Sequence, residues 1–432
     1  MRATWVQRAL VRVHEPLRRA AFLLLLLAAL LSPACATSSS LTHGAAWPHS
    51  RVPSSFSQTH SPSLINVRPL TLADLADAQI ARMSLDDELG QLFIPTFLCC
   101  GYTHATAQMV QQLHIGGAIL YAANTSSAAR TRALIASAQA NSPIPLLVTL
   151  DEEGGGVDRL KAIDGPRPSA RQIALSRSTA YATAQGAHTA HDMAALGFNV
   201  NLAPDVDVQL VAGPDLGSRN FGDDPTTVTT YAGAYLTGLQ DSGVLATLKH
   251  FPGLGDASID AHLGLPVIDR TRQQIESVEL APYRNLIATG QIGAIMTTDL
   301  LMPAFDPTLP AELSPTIIDG VLRGELGFGG VVITDALYMQ GIIQRYSMPQ
   351  AGVMAILAGC DMLEGPMTPG QVSSMEDALR QALASDQLTK ARIDQSVRRI
   401  LILKMRMGLI PIPLHQTVSV TPLGSLKPIA KP

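Results

Sequence analysis

Gly330-Val331-Val332-Ile333-Thr334-Asp335 is a short apolar run that ends on a carboxylate, and the recurrence of such runs along the chain decides the fold. An apolar run of this length without polar alternation reads as a strand buried on both faces, as in a parallel sheet. Seven comparable runs are found at Gln91–Phe97, Gly117–Ala122, Pro145–Leu150, Phe198–Ala203, Val244–Leu248, Gly293–Thr297 and Asp361–Leu363. Several intervening segments read as helices closed by glycine: Ser178–Leu196 before Gly197, Gln273–Thr289 before Gly290, and Ala391–Met407 before Gly408. Eight strands alternating with helices predict an α/β fold, a single (β/α)8 TIM-type barrel, in preference to an open sheet. No Gly-x-Gly-x-x-Gly follows the first strand and no phosphate loop occurs, which argues against a nucleotide-binding sheet.

Outward from these runs, four regions are expected: an export leader at 1–36, a linker at 37–69, the barrel at 70–412 and a tail at 413–432. Five arginines (Arg2, Arg8, Arg12, Arg18, Arg19) precede the apolar run Ala20–Leu31, which suits a signal-peptide core and is short for a bilayer span. Two processing outcomes stay open: cleavage after Ala36, or lipidation of Cys35 with attachment to a membrane. Either predicts a location outside the cytoplasm. Residues 37–69 are rich in Ser, Thr, Pro and His, as a tether would be. The first strong helix signal is Met83-Ser84-Leu85-Asp86-Asp87, where Ser84 and Asp87 fit a capping box. Cys99, Cys100 and Cys360 form no disulfide framework and read as buried thiols.

A net charge of −4, a pI of about 6.2 and only 4% aromatic residues offer no basic field or stacking platform, so no nucleic-acid partner is expected. Both tryptophans, Trp5 and Trp47, precede the folded body, which favours recognition of one or two sugar units by hydrogen bonds over a long aromatic-lined cleft.

The polar residues that follow the strands locate a site. Asp151, Asp205, Lys249, Asp299, Asp335 and Glu364 fall at strand C-termini, the rim on which a barrel assembles its active site. Asp335 is placed to be a rigid nucleophile; capping of the segment Ala336–Met339 is an equally good reading of the same position. Asp260-Ala261-His262 can pair a carboxylate with an imidazole for proton transfer, or form a loop ion pair. His250, Asp256 and His262 are potential metal ligands, yet no dedicated zinc spacing is present. Lys249 at a strand end needs a partner or a ligand. Arg219 lies in a glycine-flanked loop, and Asp151-Glu152-Glu153 runs into three glycines that let backbone approach a polyol.

Six ordered blocks then make the chain recognisable. They are Asp151-x-Glu153-Gly154-Gly155, Ala203-Pro204-x-x-Asp207-Val208, Gly217-x-Arg219-x-Phe221-Gly222, Lys249-His250-Phe251-Pro252-Gly253-x-Gly255-Asp256, Asp260-x-His262-x-x-x-Pro266, and Gly327-Phe328-x-Gly330-Val331-Val332-x-x-Asp335-x-x-x-Met339. From about Met83 to Ile410 the chain resembles glycoside hydrolase family 3, in its bacterial β-N-acetylglucosaminidase branch. The resemblance implies a barrel and a retaining double displacement, with no metal and no cofactor. It implies Asp335 as nucleophile and His262 as acid/base with Asp260 as its partner. It also implies that Asp151, Arg159, Arg219, Lys249 and His250 hold a terminal sugar.

The chain ends soon after the barrel, so no C-terminal sandwich domain is expected, and this favours His262 as proton donor. The expected substrate is a small oligosaccharide or glycopeptide carrying terminal β-linked N-acetylglucosamine, such as a peptidoglycan fragment or chitooligosaccharide. A β-glucosidase, a phosphorylase using the same residues, and a surface sugar-binding lipoprotein are the alternatives. Oligomeric state is left open. Gly156, Leu254 and Ala336 depart from the residues frequent in the branch, at the pocket entrance, in the loop and beside the nucleophile.

Overall fold

The computed structural model describes residues 70–98, 101–211, 216–412 and 418–419. The leader and linker lie outside these residues, as do nearly all of the tail and Cys35, Cys99, Cys100, Trp5 and Trp47. Cys360 is a buried free thiol whose pKa burial pushes well up.

All eight expected strands are present: β1 Phe93–Ile94, β2 Gly117–Leu120, β3 Leu147–Leu150, β4 Val200–Asn201, β5 Leu245–Phe251, β6 Ala294–Thr297, β7 Val331–Ile333 and β8 Leu363–Glu364. Strands β2 to β7 form one parallel sheet in sequence order, and β8 pairs in parallel with β1. Single parallel bridges, Thr96 to Ile119 and Ile333 to Met362, link these two sets. The result is a curled, TIM-like parallel sheet in which every strand residue is buried. Burial on both faces is why the strands carry Val, Ile and Leu without polar alternation.

Helices pack around the sheet: α1 His104–Gln111, α2 Ala128–Asn141, α3 Thr179–Leu196, α4 Pro225–Asp241, α5 Leu280–Ile287, the π-helical α6 Thr316–Glu325, α7 Met348–Ala358, α8 Pro369–Ala384 and α9 Lys390–Arg406. Helix α3 stops where expected, because Gly197 takes the left-handed conformation at φ 98°. The Ser84–Asp87 capping box forms with both reciprocal bonds, at the start of the short helix Leu85–Gly90.

Two expected elements are shorter than their apolar patterns. The first strand contracts from Gln91–Phe97 to Phe93–Ile94, since Pro95 has no N–H to give the ladder. The helix expected over Gln273–Thr289 is split into Arg272–Ser277 and α5. Pro282 explains the break: its ring excludes a helical continuation from the residues four positions back.

Helix α9 buries a lysine completely. Lys404 is 0% exposed, and its Nζ donates to Gln91 Oε1 at 2.7 Å with no carboxylate paired to it among the described residues. Burial pulls its pKa down to about 7 from an ordinary 10.5. Below about pH 7 folded and unfolded chains both hold the proton, and the folded chain carries the full penalty of a buried charge. Between about 7 and 10.5 the folded chain has released a proton that the unfolded chain keeps, so this penalty falls as pH rises. Urea unfolding at pH 7 and pH 9.5 should show the parent gaining on the order of a few kcal/mol relative to Lys404→Met over that interval. Parallel stability–pH curves for the two proteins would exclude this reading.

Candidate active site

The C-terminal ends of the strands surround a cavity of about 390 Å³. All eight residues singled out in the sequence line it: Asp151, Arg159, Arg219, Lys249, His250, Asp260, His262 and Asp335. They come from five separate parts of the chain, brought together because each lies near the C-terminal end of a strand or in the loop after one.

One side of the cavity is a buried charge cluster. Lys249 is 2% exposed and places Nζ 2.6 Å from Asp151 Oδ1 and 2.7 Å from Glu153 Oε1. Arg219 meets the same Glu153 side-on, with Nε 2.8 Å from Oε2 and Nη2 2.9 Å from Oε1. Burial alone would raise the Glu153 pKa, but Arg219 and Lys249 outweigh it and hold the carboxyl well below the usual range. Burial likewise opposes the Lys249 charge, yet Asp151 and Glu153 push its pKa up to about 12. The cluster is therefore a fixed array of charges that can bond several hydroxyls of one sugar.

The turn carrying Asp151 and Glu153 is itself pinned. Glu152 points away from the cavity and accepts from the backbone N–H groups of Arg159 and Leu160 at 2.8 and 2.9 Å. Gly154 and Gly155 turn the chain at φ 80° and 60°, and a Cβ on Gly154 would lie 2.3 Å from the Pro168 carbonyl. Arg159 stands at the cavity wall with its guanidinium 5.8 Å from the centre of the Tyr121 ring.

His250 is oriented from behind. Its Nδ1 lies 2.7 Å from Asp207 Oδ2, and its Nε2 is 3.2 Å from Arg219 Nη2. Burial disfavours the imidazolium, but Asp207 overcomes this and raises the pKa. In the neutral ring, Nδ1–H donates to Asp207 and Nε2 accepts from Arg219. Asp207 also accepts from the Leu254 N–H at 2.6 Å, which fixes the loop after β5.

Across the cavity, Asp335 follows β7. Its Oδ2 accepts from Thr298 Oγ1 at 3.1 Å and its Oδ1 from the Ala336 N–H at 2.8 Å. The next helix begins only at Gln340, so Asp335 does not cap it, and the capping alternative drops out. Asp260 and His262 form the pair their spacing allows: Oδ1 of Asp260 is 2.9 Å from Nδ1 and accepts from the His262 backbone N–H at 2.8 Å. The His262 side chain is 60% exposed, in contrast to the buried charge cluster.

Further groups line the same space. Glu364 is buried, and burial together with the Asp335 and Asp151 carboxylates pushes its pKa well up, which favours the neutral acid. Tyr338 is pushed up to about 12, chiefly by burial and by Glu364. Glu312 lies behind Asp335 and accepts its backbone N–H at 3.0 Å. Of the rim residues expected from sequence, Asp205 and Asp299 are buried and outside the cavity lining. Among the described residues, Asp205, Asp207 and His250 have ligand atoms within 4.8 Å of one another; the expected set of His250, Asp256 and His262 is not the one brought together. Gly156 is exposed, lies outside the cavity lining, and a Cβ there would meet nothing within 4 Å.

Residues 84–403 match the family model described as the glycosyl hydrolase family 3 N terminal domain. Beta-hexosaminidase LpqI of Mycobacterium tuberculosis is 36% identical over 337 residues, covering 75% of this chain and 84% of that protein. A solved glycoside hydrolase family 3 beta-N-acetylglucosaminidase from Paenibacillus sp. str. FPU-7 is similar at a TM-score of 0.74 and 33% identity, covering 80% of this chain and 67% of that one. The solved M tuberculosis LpqI is similar at a TM-score of 0.71 and 33% identity, covering 78% and 97%.

The charge cluster makes a stability prediction that the exposed dyad does not share. Glu153→Gln removes the carboxylate that Arg219 and Lys249 share, and should cost about 3–5 kcal/mol in chemical denaturation. Asp260→Asn, in a solvent-facing loop, should cost about 1 kcal/mol or less. Equal stability of the two variants would mean that Glu153 does not hold this side of the site together.

Proposed function

The chain belongs to glycosyl hydrolase family 3, and on that premise we propose that it is a retaining exo-β-N-acetylhexosaminidase built on a single (β/α)8 barrel. The hydrolase class follows from the family. The observation that carries the finer reading is that Asp335 and the Asp260–His262 pair face one cavity whose other wall is the hydroxyl-binding cluster. The beta-hexosaminidase and beta-N-acetylglucosaminidase names of its relatives support the sugar.

In the first step a carboxylate oxygen of Asp335 attacks the anomeric carbon. The imidazolium of His262 gives its Nε2 proton to the leaving glycosidic oxygen, and the bond electrons stay with that oxygen. Asp260 accepts from Nδ1 and stabilises the imidazolium. In the second step neutral His262 takes a proton from water through Nε2, and the oxygen so activated displaces Asp335 from the anomeric carbon. Asp151, Glu153, Arg159, Arg219, Lys249 and His250 hold the terminal sugar throughout. A closed charge cluster at one wall suits cleavage at a chain end, with the aglycone leaving past the exposed His262.

A phosphorylase is the second reading, favoured by the proton donor itself: a neutral imidazole does not repel an incoming anion as a second carboxylate would. The arginine-rich start and short apolar run support action outside the cytoplasm on peptidoglycan fragments or chitooligosaccharides, with attachment through Cys35 as one route of retention.

With 4-nitrophenyl N-acetyl-β-glucosaminide, His262→Ala should lower turnover by roughly 10²–10⁴-fold, and Asp335→Ala by at least as much. Both variants should keep the parent's melting temperature. Near-parental rates in either would overturn the assigned roles, and faster turnover of the corresponding glucoside would overturn the sugar. Formation of N-acetylglucosamine 1-phosphate in phosphate buffer would replace hydrolysis by phosphorolysis.

A further inference from the structure

We propose that the end of the barrel remote from the sugar pocket carries a binding site for a phosphate-type oxyanion, formed by Arg399 and Arg406 over the bases of β6 and β7. A space of about 120 Å³ opens there. One wall is a single face of α9, with Arg399, Ile402, Leu403 and Arg406 at helical spacings of three and four. The opposite wall includes Gly293 and Gly330, the residues just before β6 and β7, and Gly329, where an added Cβ would meet nothing within 4 Å. At ~30 Å³ for each water displaced, the space admits a tetrahedral oxyanion and excludes a nucleotide or an oligosaccharide.

The charges around it do not balance. Three guanidiniums converge on the buried carboxylate of Asp361, and the exposed Asp319 adds one more carboxylate 3.8 Å from Arg323. Arg323 lies 2.7 Å from Asp361, Arg399 2.9 Å and Arg392 3.8 Å. Arg399 spends only Nη1 on that contact. Arg406, two turns further along the same helix face, has no hydrogen bond or ion pair recorded with a described residue, and its Nε is buried without a partner. Burial pushes its pKa down, with no acidic group offsetting the effect. Two guanidiniums facing one small empty space, with cation in excess, are complementary to an anion that accepts from both at once.

The chemistry is that of a phosphate group, as the free ion or as a small monoester. The test is thermal unfolding of the whole chain titrated with sodium phosphate or glycerol 3-phosphate, with ionic strength held constant by sodium chloride. The parent should gain roughly 2–4 °C, saturating with ligand. Arg406→Gln should lose most of that gain and Arg406→Lys should keep part of it, while both turn over the aryl substrate at the parental rate. Stabilisation by phosphate alone assigns the site to the free ion, and stabilisation by both ligands assigns it to phosphate monoesters as well. Equal melting temperatures in phosphate and chloride, or an undiminished gain in Arg406→Gln, would overturn the proposal. The second outcome would place the anion elsewhere, the sugar pocket included.

Discussion

The carboxylate of Glu153, held between the Lys249 ammonium and the Arg219 guanidinium, is the interaction on which the site rests. It joins the turn after β3, the end of β5 and the loop before α4 at one point. Each of the three charges is buried or nearly so, and each would be costly alone. Together they convert that cost into position, because each group is held by the charge of its neighbours. The wall proposed to hold the sugar is consequently ordered without substrate, as a site must be if binding energy is to go into the reaction rather than into ordering side chains.

The two groups proposed to react sit on different foundations. Asp335 stands at the mouth of β7, backed by Thr298 and by a backbone bond to Glu312. His262 is on an exposed loop, with only Asp260 fixing its ring. The asymmetry suits the chemistry derived above. A nucleophile must meet one carbon along one line, whereas a proton donor has to release an aglycone and then admit water.

Much of this was legible in the sequence because barrel strands announce themselves twice, by an apolar run and by the polar residue that ends it. Strand lengths were less legible, since an apolar run does not show where a missing N–H interrupts the ladder, as Pro95 does just after β1. The sequence pattern also could not separate Glu152 from Glu153. In the structure they point opposite ways, one to the backbone of the turn and one into the cavity. Alternation of side-chain direction along an extended segment would have divided them, given that Asp151 faces the site. Asp207 was hidden for a different reason: its contact with His250 spans 43 positions and is made by the fold alone. Lys404 was hidden as well, because a lysine near the end of a helix reads as solvent-facing until tertiary packing covers it.

The pairing of β8 with β1 has a consequence for how the molecule comes into being. Leu363 lies against Phe93, so the seam joins the first strand of this series to the eighth, which is made much later in synthesis. Until that eighth strand has been synthesised, β1 offers an open edge with nothing in register beside it, and the nascent chain must survive in this state. Such long-range closure carries a large loop entropy and is slow. A circular permutant whose new termini fall in an exposed loop between β4 and β5 would make the seam a local contact, and the order in which the ring assembles would change with it.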